Sequence, residues 1–293
     1  MQAILKWLIG LAALAVVAGG GMYLYARHEA RSDPVVRRAR LALSGWPEGA
    51  KPVTVALLSD IHIGSGAMDA ERLTRIADQI AATHPDLVLI AGDFIYGHDP
   101  AESARLAPGL TAPLARLRPP LGVIAVPGNH DHWTGAGPVR RALEAAGVTV
   151  LANQAVRRGP LTILGFDDSF SGHADVAATL RSAAGLGGVA VALTHSPGLI
   201  PRLPPSVNLL LAGHTHCGQV VFPLIGAATD WPDPPKRLYD PRYRCGVVHD
   251  PERTVIVTAG MGTSGPALRL GAPPDFWLLT LVPAVIAPTR KAG

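Results

Sequence analysis

Residues 53–62 read Val-Thr-Val-Ala-Leu-Leu-Ser-Asp-Ile-His, an apolar run that ends in a carboxylate and an imidazole. The run has the length and composition of a buried strand, so Asp60 and His62 are predicted to lie at its carboxyl end. Four later apolar runs also end in polar residues. The polar groups, in chain order, are Asp60-Ile61-His62, Gly92-Asp93, Gly128-Asn129-His130-Asp131, Thr194-His195 and Gly213-His214-Thr215-His216. Because strand ends hold side chains rigidly beside solvent, this pattern predicts one functional site.

The candidate ligands in these groups are carboxylates, imidazoles and one amide, all of which ligate hard or borderline divalent cations. The chain has only 2 cysteines, Cys217 and Cys245, and they lack the spacing of a structural zinc site rich in cysteine. The sequence therefore predicts a centre for Mn, Fe, Zn or Mg.

The ordered pattern D-x-H, G-D, G-N-H-[D/E], H and G-H-x-H resembles that of the calcineurin-like metallophosphoesterases, roughly from Pro52 to Val282. The sequences around His195, at 213–219 and at 262–269 are similar to the membrane-associated bacterial branch. Its relatives include simple phosphodiesterases and UDP-2,3-diacylglucosamine pyrophosphatases. The resemblance implies an α/β fold, the four-layer αββα sandwich, in which two sheets pack face to face with helices outside.

The resemblance also implies a role for each polar residue. Asp60, His62 and His216 would bind a first divalent metal ion. A second ion, with Mn favoured for both, would be bound by Asn129, His195 and His214. Asp93 would bridge the two ions, which in such hydrolytic centres lie about 3.5–4 Å apart and activate a water for attack on phosphorus. His130 would not be a ligand but would stabilise or protonate the leaving group.

A single histidine after a strand is more often structural than a ligand, so the prediction for His195 depends on the complete set of motifs. Six other histidines match no ligand position and are expected to be structural or on the surface. They are His28, His84, His98, His132, His173 and His249. The motifs themselves leave the substrate-binding residues unassigned.

The amino-terminal run from Trp7 to Ala26 contains 20 residues without a charge. This length is sufficient to cross a bilayer as a helix, which requires about 20 apolar residues. A cleaved signal peptide is the alternative, but its apolar region is usually about 7–15 residues long. An uncleaved, single-pass anchor in a bacterial cell membrane is therefore favoured.

The basic residues flanking this run predict that the catalytic domain faces the cytoplasm. Only Lys6 precedes the run, whereas Arg27, Arg31, Arg37, Arg38 and Arg40 follow it. The arginines also favour contact with anionic membrane lipid over nucleic acid, because the net charge of the chain is only +4. The two cysteines do not decide on which side of the membrane the domain lies, since they are compatible with free thiols or with one disulfide.

The predicted organisation is an anchor at 1–26, a basic linker at 27–50, a phosphoesterase domain at 51–283 and a tail at 284–293. Periodicity predicts helices over 69–82, 101–117, 137–146 and 173–184. The segment 226–248 is too rich in proline for a helix or central strand, which predicts a long loop. Two interpretations of this loop remain open, a substrate contact and a solvated lid. The residues that would make the contact are Trp231, Lys236, Arg237, Tyr239, Arg242, Tyr243 and Arg244.

These features predict a membrane-anchored enzyme with two metal ions that hydrolyses a phosphodiester or diphosphate bond. A substrate confined to the membrane, such as the nucleotide-sugar lipid UDP-2,3-diacylglucosamine, would explain an anchor beside the metal site. A phosphodiesterase of broad specificity is the alternative. A binding module that keeps only the fold is disfavoured, because no ligand of the family pattern is missing.

Overall fold

The computed structural model describes residues 1–230 and 238–284. Its helices are α1 Gln2–Arg31, α2 Ala70–Ala81, α3 Glu102–Leu106, α4 Pro108–Leu114, α5 Asn129–Thr134, α6 Ala136–Ala145 and α7 Val176–Ala183. Its strands are β1 Val35–Leu43, β2 Val53–Leu58, β3 Leu87–Ala91, β4 Val123–Val126, β5 Val148–Val150, β6 Gln154–Arg158, β7 Leu161–Gly165, β8 Val189–Leu193, β9 Leu209–Ala212, β10 Val221–Phe222, β11 Gly226–Ala227, β12 Gly246–His249, β13 Thr254–Val257 and β14 Asp275–Pro283.

Two six-stranded sheets form the centre of the described chain, in the orders β1-β14-β2-β3-β4-β5 and β12-β13-β9-β8-β7-β6. Strands β2, β3 and β4 are parallel neighbours, as are β8 and β9. All residues of β3 and β4 are buried, which explains why these strands read as continuous apolar runs instead of alternating ones. The carboxyl ends of the parallel strands therefore lie together at one edge of each sheet.

The two sheets pack face to face around an apolar layer that includes Leu57, Ile124, Leu193 and Leu211, all fully buried. Helices α2, α4 and α6 cover the outer face of the first sheet, and α7 packs on the outer face of the second. This arrangement confirms the four-layer αββα sandwich.

The segment predicted as a basic linker, 27–50, is instead structured over most of its length. Helix α1 continues to Arg31, and β1 pairs in parallel with β14 along all 9 of its residues. Arginines at 37, 38 and 40 obscure the strand in the sequence. Exposed arginines are common on edge strands, where charge discourages pairing with another chain.

Three other elements differ from the predictions. The helix predicted over 101–117 is two short helices, because Pro108 begins α4 where a continuous helix would need a backbone N–H. Helix α7 begins after Asp175, whose carboxylate accepts a hydrogen bond from the Ala178 N–H, and not at 173. The segment 226–248 contains β11 and the edge strand β12, so it is not a loop throughout.

Candidate metal centre

The residues singled out in the sequence come together at the carboxyl ends of five strands. Asp60 and His62 follow β2, Asp93 follows β3 and Asn129 follows β4, while β8 and β9 lead to the remaining histidines, His195, His214 and His216. All of these side chains are buried except that of His214, which is half-buried. The shared edge of the parallel strands explains this convergence.

Tight turns aim the side chains at one another. The residues Asp60, His62, Asp93, His214 and His216 all adopt left-handed backbone conformations, with φ between 47° and 71°. Each such conformation costs about 1–3 kcal/mol in a residue other than glycine. Gly92 allows a close approach of these turns, since a Cβ there would lie 2.8 Å from the Gly128 nitrogen and 2.9 Å from His195 Nδ1.

One cluster consists of Asp60, His62 and His216. The Nε2 atoms of the two imidazoles lie 3.2 Å apart, and His216 Nε2 lies 3.4 Å from Asp60 Oδ1. Burial lowers the pKa of His62 to about 3 and the pKa of His216 well below its usual range, so both rings keep lone pairs available. Asp60 Oδ1 is buried and accepts no hydrogen bond from the described residues. A buried oxygen without a donor, facing two ring nitrogens, fits a divalent cation.

The second cluster consists of Asn129, His195 and His214. His195 Nε2 lies 3.0 Å from Asn129 Oδ1 and 3.1 Å from His214 Nδ1. The other ring nitrogens of the two histidines donate to backbone carbonyls, His195 Nδ1 to Ala91 at 2.7 Å and His214 Nε2 to Leu238 at 3.3 Å. These carbonyls fix each tautomer so that a lone pair faces the cluster, as in histidines that ligate metals.

Asp93 lies between the two clusters. Its Oδ2 atom is 3.5 Å from His62 Nε2 and 3.2 Å from His195 Nε2. Burial alone would raise the pKa of Asp93, but the charge of His195 lowers this pKa well below its usual value. Conversely, Asp93 outweighs burial and raises the pKa of His195 well above its usual value. A positive charge beside Asp93 is therefore strongly favoured, and a metal cation can replace the proton.

His130 differs from the other histidines in its contacts. Its Nδ1 donates to the Gly97 carbonyl at 2.8 Å, and its Nε2 faces the Ser264 hydroxyl, a long hydrogen bond at 3.5 Å. The same ring lies near the other histidines, with its centroid 4.7 Å from that of His62. A ring nitrogen of His130 also lies within 4.8 Å of possible ligand atoms of His62 and Asp93, so its position is compatible with a ligand as well as with a proton donor.

Asp131 connects two of the turns that carry these residues. Its buried carboxylate accepts hydrogen bonds from the backbone N–H groups of Gly128, Asp93 and Phe94, at 2.8, 3.0 and 2.9 Å. The side chain thus holds the loop after β4 against the loop after β3.

A cavity of about 280 Å³ opens onto the clusters, with Asp93, Asn129, His130, His214 and His216 at its base. Its walls include His98, Trp133, Phe170, Leu238 and Tyr239. His98 belongs to no motif and was expected to be structural or on the surface. It stacks on Trp133 with ring centroids 4.9 Å apart, and only the three-dimensional structure could have placed it here.

The residues of the proline-rich segment for which substrate contact and a solvated lid were both open interpretations divide into three groups. Tyr239 lines the cavity, whereas the Tyr243 side chain is buried and donates a hydrogen bond to Asp250. The two arginines form ion pairs, Arg242 with Asp240 and Arg244 with Asp230, both at 2.8 Å. Trp231, Lys236 and Arg237 lie outside the described residues.

Cys217 and Cys245 form a disulfide that joins the turn after His216 to the start of β12. Close by, Thr215 Oγ1 donates to the Arg244 carbonyl at 2.6 Å. The segment that carries His214 and His216 is thus fixed at both ends, by β9 on one side and by the disulfide on the other.

Residues 53–218 match the family model described as calcineurin-like phosphoesterase. An uncharacterized metallophosphoesterase of Helicobacter pylori is 30% identical over 80% of this chain and 60% of its own length. Phosphodiesterase YaeI of Escherichia coli is 31% identical over 84% of this chain and 87% of its own. A zebrafish transmembrane protein with metallophosphoesterase domain is 28% identical, over 88% of this chain and 60% of its own length.

This chain therefore spans about 60% of the Helicobacter and zebrafish relatives and most of YaeI. The matched model covers the region in which all five polar groups lie, from Asp60 to His216. Both the ordered motifs and the two-sheet sandwich agree with that match. The chain belongs to the calcineurin-like phosphoesterases.

Proposed function

We propose that the protein is a metal-dependent hydrolase that cleaves phosphodiester or diphosphate bonds. The observation that carries the proposal is the position of the Asp93 carboxylate, within 3.5 Å of a ring nitrogen in each cluster and at the base of an open cavity. Asp60, His62 and His216 would hold one divalent ion. Asn129, His195 and His214 would hold another, with Asp93 shared between them.

Two ions held there would polarise the phosphoryl oxygens and lower the pKa of a water. The protein itself would contribute His130, whose Nδ1 is held by the Gly97 carbonyl so that Nε2 is directed away from the backbone. In the imidazolium form, which carries a proton on each ring nitrogen, Nε2 would donate its proton to the leaving oxygen while Nδ1 stays bonded to Gly97. Asp131 acts indirectly, by holding the loops of Asp93 and Asn129 together.

A scaffold that keeps only the fold would not need this geometry. Five residues of the clusters are in left-handed conformations that are costly outside glycine. Such strain persists where it serves catalysis or tight binding of a ligand. The strained turns therefore favour a site that binds metal ions or substrate over a scaffold that keeps only the fold.

The cavity favours a substrate with a flat or apolar group beside the phosphate. Among its described lining residues none is a lysine or arginine, and Trp133, Phe170 and Tyr239 form much of its wall. A phosphodiester carries one negative charge, which two metal ions can neutralise without further cations. The name of the YaeI relative agrees with this class of substrate. A lipid-linked diphosphate such as UDP-2,3-diacylglucosamine remains the second candidate, because the apolar helix α1 would place the site close to a bilayer.

The function can be tested with the full chain, purified in detergent and reconstituted with Mn²⁺, Fe²⁺, Zn²⁺ or Mg²⁺. We expect hydrolysis of aryl phosphodiesters to exceed that of the matching phosphomonoesters, and Mn²⁺ to be the best of the four metals. UDP-2,3-diacylglucosamine in mixed micelles should be assayed in parallel to separate the two candidate substrates. Failure to hydrolyse any member of the panel with any of these metals would refute the proposal.

We further propose that α1 anchors the protein in a bacterial cell membrane as a single span. Its residues are exposed to the surroundings as far as Tyr25, including large apolar side chains such as Leu5, Ile9 and Leu14. An exposed apolar surface of this size is unfavourable in water, whereas lipid would cover it.

Two features give opposite indications about the side of the membrane on which the catalytic domain lies. The arginines after the span favour the cytoplasm, but two of them have partners within the protein. Arg31 donates to the Gly66 carbonyl, and Arg37 pairs with Asp275 at 2.6 Å. The disulfide between Cys217 and Cys245 favours an oxidising compartment. Because cytosolic thiols are kept reduced and rarely form such a bond, we propose that the domain faces outward.

This placement predicts the behaviour of the full chain in cell fractions. The protein should sediment with membranes, resist extraction by carbonate and retain its own amino terminus, because an uncleaved span holds it. A protease added to intact spheroplasts should digest the domain. Protection of the domain until the cells are lysed would instead restore the cytoplasmic orientation, and a soluble protein clipped near Gly20 would contradict the anchor.

A further inference from the structure

The last two turns of α1 pack against the catalytic domain. Ala30 is fully buried and Ala26 nearly so, whereas the preceding residues of the helix are exposed. The Ala26 carbonyl accepts a hydrogen bond from the Arg269 N–H at 2.9 Å, and the Arg31 guanidinium donates to the Gly66 carbonyl at 2.6 Å. The helix is therefore fixed to the domain at its end and is not attached by a flexible tether. We call residues 26–32 the docking segment.

Arg269 connects the docking segment to the loop at 259–262. Its guanidinium is fully buried and donates to the carbonyls of Ala259 at 2.7 Å, Gly260 at 3.2 Å and Gly262 at 2.7 Å. Its Nη2 also lies 3.4 Å from His216 Nδ1. Burial lowers the pKa of Arg269 to about 10, and the carboxylates of Asp275, Asp60 and Glu29, the last in the docking segment, partly offset this effect.

Arg72 makes a second and separate connection between the same two parts. Its Nη2 donates to the carbonyl of Ser32, at the end of the docking segment, at 2.7 Å. Its Nη1 donates to the carbonyl of Met261 at 3.1 Å. Arg72 is also buried, and so is Met261, whose carbonyl would lose this donor without water to replace it.

The loop at 259–262 in turn supports Asp60. The Gly262 N–H donates to the Asp60 carbonyl at 2.7 Å, and the Met261 N–H donates to the Ser59 carbonyl at 3.2 Å. The loop passes so close that a Cβ on Gly260 would lie 2.5 Å from the Cβ of Asp60. A shift of this loop would therefore move Asp60 and, through Arg269, the ring of His216.

We propose that the docking segment is part of the scaffold of the first metal cluster, with Arg72 and Arg269 as positioning residues that couple the anchor helix to Asp60 and His216. The anchor then does more than raise the concentration of the enzyme at the membrane. It fixes the orientation of the domain relative to the bilayer, and disturbing its docked end weakens the first metal site. This inference rests on the metal centre proposed above, but the anchor's part in it is independent of the substrate.

The test compares two alanines of α1 in the full chain in detergent. Ala30→Leu enlarges a side chain in the docked interface, whereas Ala13→Leu, the control, enlarges an exposed residue of the same helix. We expect Ala30→Leu to speed hydrogen exchange at the amides of Met261 and Gly262, measured without metal. It should also weaken one of two Mn²⁺ equivalents by roughly tenfold, the lower end for loss of a partner behind a metal ligand. Ala13→Leu should change neither quantity.

Substitutions at Arg269 test the coupling residue directly. Arg269→Met should weaken the same Mn²⁺ equivalent by about 10- to 100-fold. Arg269→Lys should recover part of the loss, because a lysine keeps the charge but lacks the fork that reaches several carbonyls. Should Arg269→Met fail to fold, the alanine pair decides alone. The inference would be overturned if Ala30→Leu left both hydrogen exchange at 259–262 and Mn²⁺ affinity unchanged. In that case, normal metal binding by the unsubstituted chain would still support the proposed function.

Discussion

Asp93→Asn should abolish measurable turnover and reduce the binding of both metal ions. The carboxylate lies 3.5 Å from His62 Nε2 and 3.2 Å from His195 Nε2, so both clusters depend on one anionic side chain. An amide presents one neutral oxygen in place of two that share a negative charge. Metal content after dialysis and initial rates on an aryl phosphodiester measure the two effects.

The control for this variant is Asp78→Asn, which removes an equal charge from an exposed ion pair with Arg116. Exposed pairs contribute about 0–1 kcal/mol to stability, so this change should leave metal content and rate unaltered. An Asp93→Asn protein that retains two ions and near-normal activity would show that Asp93 is not the shared ligand.

The strands that carry the candidate site could be predicted from the sequence because they lie in a parallel arrangement. Residues buried on both faces leave continuous apolar runs, as at 87–91 and 123–126, and the polar residues that follow are then conspicuous. The order of the motifs resembles that of a known family, and this resemblance predicted that distant residues such as Asp60 and His216 lie in the same site. Periodicity alone could not have brought those two residues within 3.4 Å.

The elements that the sequence did not predict depend on tertiary contacts. Strand β1 is an edge strand with three arginines, and its apolar residues become recognisable only beside β14. His98 enters the cavity because it stacks on Trp133, and the docked end of α1 is fixed by Arg72 and Arg269, which are far away in the chain. Local patterns carry no information about such partners. A truncation at residue 51, the predicted start of the phosphoesterase domain, would remove both β1 and the docking segment.

His130→Ala should lower kcat by roughly 10²–10⁴-fold, the range for loss of general acid–base catalysis. The reason is the hydrogen bond from Nδ1 to the Gly97 carbonyl, which orients the ring so that its imidazolium form can donate the Nε2 proton to the leaving oxygen. Two Mn²⁺ equivalents should remain bound, because the proposed ligands do not include His130. The loss should be smallest for diesters with a good leaving group such as nitrophenol, since such an oxygen departs without a proton.

This dependence on the leaving group separates acid catalysis from a general disturbance of the cavity. A disturbed cavity would slow diesters with alkyl and nitrophenyl leaving groups by the same factor, whereas loss of the acid slows the alkyl ester far more. His249→Ala is the matched control, because it removes an exposed imidazole on β12 outside the motifs, and it should slow neither ester. If His130→Ala instead loses one Mn²⁺ equivalent, His130 is a ligand, as its proximity to His62 and Asp93 would allow, and another group must protonate the leaving oxygen.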